Sequence, residues 1–222
     1  MTDDRPLPTT HYPLPMITHL LPPQLDAATD TLTAAFDADP IYTYVFPSAK
    51  DRARLLPPFW RAILRNAMLH GHVYTSADAG GVALWMPPGR HPVAFGDSAR
   101  IGFAFHRAVM AFPAEARRRF MAYVTYGDGV QQRLLGDSRY WELWVLGVRP
   151  DRQGQGLGGK LIAPILSRAD DEWFPCYLLT ESERNVEFYR GHGFDVAHEG
   201  DVPGHPLRLW MMIREPLGGS RA

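Results

Sequence analysis

The chain has one cysteine, Cys176, so no internal disulfide can form, and its histidines and cysteine show no zinc spacing. A reducing, cytoplasmic setting is therefore expected. No run of about 18 apolar residues occurs, so no membrane-spanning helix and no membrane partner are expected. The acidic, proline-rich opening (MTDDRPLPTTHYPLP) lacks the apolar stretch of a signal peptide and the pattern of a transit peptide. An excess of one charge is missing too. Lys+Arg 23 against Asp+Glu 24 leaves a formal net charge of −1, which argues against nucleic acid as a partner. No internal repeat is visible. What remains is a chain of 222 residues, 45% hydrophobic, long enough for one domain with a sizeable core.

Periodicity divides it as follows. Residues 1–15 read as a flexible arm, 16–216 as one domain and 217–222 as a tail. Met16 to Leu21 reads as a short strand. Pro23 to Phe36 and Asp51 to His70 read as amphipathic helices, the second with a start delayed by Pro57-Pro58. His72 to Ser76 and Gly81 to Met86 read as a hairpin. Residues about 90–138 form an aromatic-rich, mainly helical insertion. Tyr140 to Val148 is a strong strand, and Leu157 to about Asp171 is a helix with Pro164 inside it. Cys176 to Thr180 is a strand, Asn185 to His192 a short helix, and Phe194 to His198 with Leu207 to Ile213 an antiparallel closing pair.

The most specific stretch is Val148 to Lys160, VRPDRQGQGLGGK, a glycine turn between strand and helix. Such a turn presents successive N–H groups to a phosphate. Three motifs fit its letters. A Walker A loop (GxxxxGK) needs Ser or Thr next, where this chain has Leu161. A dinucleotide fingerprint (GxGxxG at Gly154, Gly156 and Gly159, with Glu181 as the ribose acid) needs further βα units that the remaining chain cannot supply. A coenzyme A pyrophosphate loop needs Gln153-x-x-Gly156-x-Gly158 after a strand ending Gly147-Val148-x-Pro150, which is present.

With Asn185-x-x-Phe188-Tyr189-x-x-x-Gly193-Phe194 downstream, the segment 140–214 resembles the Gcn5-related N-acetyltransferase (GNAT) family. The GVxPxxQGxGLG run, Pro164, Leu178 to Ser182 and Ala83 to Pro88 resemble its puromycin N-acetyltransferase-like members. The resemblance implies an α/β fold whose mixed, mainly antiparallel sheet is splayed at the coenzyme site and flanked by helices. It implies acetyl transfer from acetyl-CoA to a primary amine of a small molecule, by direct attack in a ternary complex and without a metal. A coenzyme A-binding regulatory module without turnover is the alternative. Either a monomer or a homodimer is compatible with the sequence.

The resemblance also implies site residues. N–H groups from Gln153, Gly154, Gln155, Gly156, Leu157, Gly158 and Gly159 would hold the pyrophosphate. Leu146, Gly147 and Val148 would pair with the pantetheine arm through their backbone, with a bulge at Gly147 and the Val148 N–H steadying the oxyanion. Asn185 would bind the coenzyme or cap its helix. Tyr189 would protonate the departing thiolate. Glu142 stands in an otherwise apolar strand, 11 positions before Gln153, as the histone-modifying branch places its base; alternation would put it on one face with Trp144, Leu146 and Val148. Other residues read more plainly. Lys160 and Arg117 to Arg119 read as solvated helix residues, His70 and His72 as surface residues, Cys176 as a buried strand residue, and His205 as able to reach the site from the closing hairpin. Phe36, Tyr42, Tyr44, Phe46, Trp60 and Trp85 would line the acceptor side or fill the core.

Overall fold

A computed structural model describes residues 16–89 and 106–218. The expected arm at 1–15, the insertion's first part at 90–105 and the end of the tail lie outside the described residues. Strand β1 (Ile17–His19) leads through a short 3-10 turn into helix α1 (Leu25–Phe36), then α2 (Pro40–Val45) and α3 (Ala49–His70). Strands β2 (His72–Ser76) and β3 (Gly81–Met86) form the hairpin, residues 106–110 are helical, and α4 (Ala114–Leu135) follows. Then come β4 (Trp141–Val148), α5 (Leu157–Glu172), β5 (Cys176–Thr180), α6 (Glu183–Arg190), β6 (Asp195–Asp201) and β7 (Arg208–Arg214).

Two helical expectations change. Helix α3 starts at Ala49, because the Ser48 side chain accepts the Asp51 N–H, and it runs through Pro57 and Pro58. The cap outweighs two missing interior donors because Leu56, Phe59, Trp60 and Ile63 bury that stretch of the helix. Helix α2 was not foreseen. Asp39 caps it, accepting the Ile41 N–H at 3.1 Å, and Pro40 sits in its first turn.

The seven strands lie in the order β1-β2-β3-β4-β5-β7-β6. Every pairing is antiparallel except β4 with β5. That parallel pair joins only Trp141, Glu142 and Leu143 to Cys176, Tyr177 and Leu178. Beyond it, β4 stays with β3 while β5 stays with β7, so the sheet opens into a split. One face packs under α1, α3 and α4; the other packs under α5, where Leu161, Ile162 and Ile165 are fully buried. Leu161, which removed the Walker reading, is thus a core residue.

The bulge in β4 lies at Trp144, not at Gly147. Val145 stands opposite Leu84 and Leu143 opposite Trp85, which leaves Trp144 as the extra residue. The bulge reverses alternation. Glu142 and Trp144 face the α1 side, whereas Leu146 and Val148 pack with the α5 cluster, so these four residues do not share a face. Gly147 is needed for another reason: a Cβ there would lie 2.6 Å from Leu32 Cδ2 and 3.1 Å from Phe36 Cε2, because α1 crosses directly over it. Gly147→Val should therefore destabilise the fold by about 2–3 kcal/mol, read as a lower midpoint in urea unfolding.

Candidate active site

The split between β4 and β5 has backbone to offer. The Arg149 N–H donates to Gly80 O at 2.9 Å, so Arg149, Gly147 and Val145 direct their backbone groups to β3. By alternation, the N–H groups of Leu146 and Val148 point into the split. Gly147 does not. The Val148 carbonyl is occupied, accepting from Gln153 Nε2 at 3.0 Å, which ties the loop to the strand end.

The loop that follows is exposed from Gln153 to Gly156. Gly154 (φ 74°) and Gly156 (φ 72°) are left-handed, and a Cβ at either would meet nothing within 4 Å. Their glycine requirement is conformational: it turns the backbone so that N–H groups lead into the first turn of α5, whose donors have no intrahelical partner. Gln153 departs from the expected cradle, because its N–H already donates to Pro150 O at 3.3 Å. The Gln155 side chain likewise turns back, to Asp151 O at 3.1 Å. Leu157 is buried. Gly158 and Gly159 let α5 meet the next helix closely; Cβ atoms there would lie 3.2 Å from Phe188 Cζ and 2.6 Å from His192 Nε2. Gly154 to Gly159 thus carry the backbone from an exposed turn into the N-terminus of α5, where free N–H groups favour an anion.

Below the loop, the split widens into a cavity of about 160 Å³. Glu142, Leu146, Asn185 and Tyr189 all line it. Asn185 is not a cap: Ser182 is the N-cap residue of α6, and Asn185 Nδ2 instead donates to Thr180 Oγ1 at 3.2 Å. Tyr189 is buried, and burial first, then the charges of Glu181 and Asp39, hold its phenol above the usual range. It is a neutral donor at any physiological pH. Glu142 carries a buried Oε2 with no hydrogen-bond partner. Burial raises its carboxyl to about 7; Asp128 pushes in the same direction, and Gln131 pulls back. An acid so placed exchanges protons near neutrality.

Sequence reasoning missed the second acidic group in this cavity. Asp39, at the start of α2, and Glu181, at the end of β5, both line it. Burial raises Asp39 against the pull of the Ile41 and Tyr42 N–H groups; burial raises Glu181, and the Asp39 charge raises it further. Tyr123 donates its hydroxyl to Glu181 Oε1. Phe36, Tyr42 and Trp60 line the cavity as expected, whereas Phe46 and Trp85 are core. Tyr44 instead bonds His205 Nδ1, which ties the β6–β7 connection to α2. Arg118 and Arg119 pair with Glu115, and Arg119 also covers the Tyr44 ring. Cys176 is buried, its thiol pushed up to about 12 by burial, so it is no nucleophile. His72 is half-buried against Trp141 rather than on the surface. Among the described residues, no group of three or more His, Cys, Asp or Glu could hold a metal, and no helix is long and apolar enough to cross a membrane.

Comparison with known proteins agrees with this geometry. The profile of the Acetyltransferase (GNAT) family matches residues 74–194. An uncharacterized N-acetyltransferase of Schizosaccharomyces pombe is 30% identical over 207 residues, 88% of this chain and 81% of the relative. Among solved structures, a histone acetyltransferase HPA2 and related acetyltransferase of Corynebacterium glutamicum superposes with a TM-score of 0.66 at 19% identity, over 93% of this chain and 98% of the other. PaiA N-acetyltransferase of Thermoplasma acidophilum, in complex with coenzyme A, does so with a TM-score of 0.54 at 12% identity, over 90% and 98%. The mixed, mostly antiparallel sheet flanked by helices is the fold of these structures, and the chain belongs to the GNAT family of acetyltransferases.

Proposed function

We propose that the protein transfers an acetyl group from acetyl-CoA to a primary amine of a small molecule, with both substrates in the split at once. The observation that carries this reading is the cavity in which Glu142, Leu146 and Tyr189 meet beneath the glycine loop. The pyrophosphate lies on the N–H groups of Gly154 to Gly159, and the pantetheine arm runs along Leu146 and Val148 as an added strand would. Asn185 lines the same path.

Glu142 accepts a proton from the incoming ammonium, directly or through one water, and leaves a neutral amine to attack the thioester carbon. The Leu146 N–H faces the oxygen on which charge develops. It takes the place expected of Val148, because the cavity reaches Leu146 and stops short of Val148. Tyr189 donates its hydroxyl to the leaving sulfur. An ordinary thiol has a pKa of about 8.5, below that of this phenol, so Tyr189 stabilises the thiolate by a hydrogen bond rather than by complete proton transfer. No covalent intermediate on the protein is needed. Holding both reactants in one cleft contributes on the order of 7–11 kcal/mol to the rate.

Incubation with acetyl-CoA and a panel of amines, following free thiol, tests the reading. Amine-dependent thiol release is expected; coenzyme binding with no release for any amine would instead favour the regulatory module. Tyr189→Phe should lower kcat about 10- to 100-fold while the KM for acetyl-CoA changes little. An unchanged kcat would remove Tyr189 from the mechanism.

A further inference from the structure

Asp39 and Glu181 line the cavity and have no part in the steps above. Their placement follows from the coenzyme's own wall. Glu181 comes directly after Thr180, the last residue of β5, and Thr180 Oγ1 accepts from Asn185 Nδ2 at 3.2 Å. Asn185 and Tyr189 stand one turn apart on α6. The connection from β5 to α6 therefore brings Glu181, Asn185 and Tyr189 to one side of the split. From the helical layer, Tyr123 of α4 donates to Glu181 Oε1. The titratable groups that face Glu181 are Asp39 and Tyr42 from α2, Tyr123 from α4 and Tyr189 from α6. No Lys, Arg or His lines the cavity among the described residues.

Two buried carboxyl groups with no cation beside them do not both ionise, so the pair keeps a proton near neutrality. Burial and the Asp39 charge hold it on Glu181. Acetyl transfer needs a proton at this place, because coenzyme A leaves as a thiol. Tyr189 is not its source, since burial makes the phenol bind its own proton more tightly than a thiol does. Nor does Glu142 stand closest. The charges that act on Tyr189 are those of Glu181 and Asp39.

We propose that Glu181, sharing its proton with Asp39, is the acid that protonates the departing sulfur of the coenzyme. This rests on the acetyl-transfer reading above. The thioester C–S bond breaks, and its electron pair stays on sulfur. The Tyr189 hydroxyl steadies the thiolate, which then takes the shared proton directly or through one water. The pair is left as two carboxylates and regains a proton from solvent once the thiol departs. Two carboxyl groups in one cavity thus have opposite tasks: Glu142 takes a proton from the amine, and Glu181 gives one to the sulfur.

The test follows kcat against pH with both substrates saturating. The native profile should rise as Glu142 ionises and fall on the alkaline side as the pair loses its proton. Glu181→Gln keeps an acceptor for Tyr123, and Asp39→Asn keeps the helix cap, so both variants should fold, with coenzyme binding as the check. Glu181→Gln should lower kcat about tenfold and remove the alkaline limb, with the KM for acetyl-CoA little changed. Asp39→Asn removes the charge that holds the proton on Glu181, so its alkaline limb should move to lower pH. An alkaline limb that Glu181→Gln retains, or that Asp39→Asn leaves in place, overturns the assignment. The thiolate absorbance of coenzyme A bound to the protein reads the same acid without turnover. A carboxylate facing the sulfur disfavours the thiolate, so the native complex should keep its thiol protonated to a pH about one higher than Glu181→Gln does. That difference, with no acetylation of any amine, would uphold the acid and defeat acetyl transfer. Acetylation with an alkaline limb untouched by either variant would do the reverse.

Discussion

Glu142→Gln should lower kcat about 100- to 1,000-fold and abolish the rise of activity through neutral pH. The native protein needs Glu142 ionised, and its carboxyl sits at about 7, so kcat/KM for the amine should climb as pH passes that value. Glutamine keeps the shape and removes the base. The same substitution should act on stability with the opposite sign. A carboxylate whose folded-state pKa is raised favours the folded state fully below its unfolded value and loses that advantage as pH rises through the folded value. The Glu142 advantage is thus present below about 4.5 and gone above about 7. At about pH 8, then, Glu142→Gln should stabilise the fold by about 1–3 kcal/mol, and at about pH 4 by almost nothing. An inactive variant that melts higher at alkaline pH has lost a buried functional acid. One that melts lower at every pH has lost a structural contact, and the base would have to be sought elsewhere in the cavity.

Gly156→Val should weaken coenzyme binding about 100- to 1,000-fold. A β-branched residue at φ 72° costs about 1–3 kcal/mol if the turn is kept. If the turn relaxes instead, the N–H groups leading into α5 swing away, and each charge-assisted hydrogen bond lost is worth about 1.5–3 kcal/mol. A Cβ at Gly156 meets nothing within 4 Å, so the core beneath has no direct reason to be disturbed. Calorimetric titration with coenzyme A, beside a urea melt, separates the two effects. Affinity should collapse while the unfolding midpoint shifts only modestly. Retained affinity would mean that the loop does not hold the pyrophosphate.

How far the sequence could be read tracks how local each signal is. The glycine turn, α5 and the short helix with Tyr189 are written in consecutive residues; the first two stand where expected, and the third starts two residues earlier, at Glu183, and ends at Arg190. Glu142 was visible because a charged residue in the apolar run WELWVLGV is unusual. Its facing was misjudged because strand alternation assumes a regular strand, and nothing in the letters of Trp144 marks it as the bulged residue. Gly147 looked like the natural bulge, yet its role comes from α1, more than 100 positions away in the chain. The acidic pair at Asp39 and Glu181 is the extreme case. Each residue alone reads as punctuation, one a helix cap before a proline and the other a strand end, and only the packing of α1 on β3 and β4, with α2 held against α3 and α4, brings them to one cavity. Pro57 and Pro58 misled for a related reason, since tertiary burial of α3 overrode their local preference.

The most direct test of the central claim is to supply acetyl-CoA labelled in its acetyl group together with an amine and to follow label and thiol at once by mass spectrometry. The account predicts N-acetylated amine and free coenzyme A in equal amounts from the first turnover, with no labelled protein. Thiol released without labelled amine, or label found on the protein ahead of the product, would contradict direct transfer in the cleft between Glu142 and Tyr189.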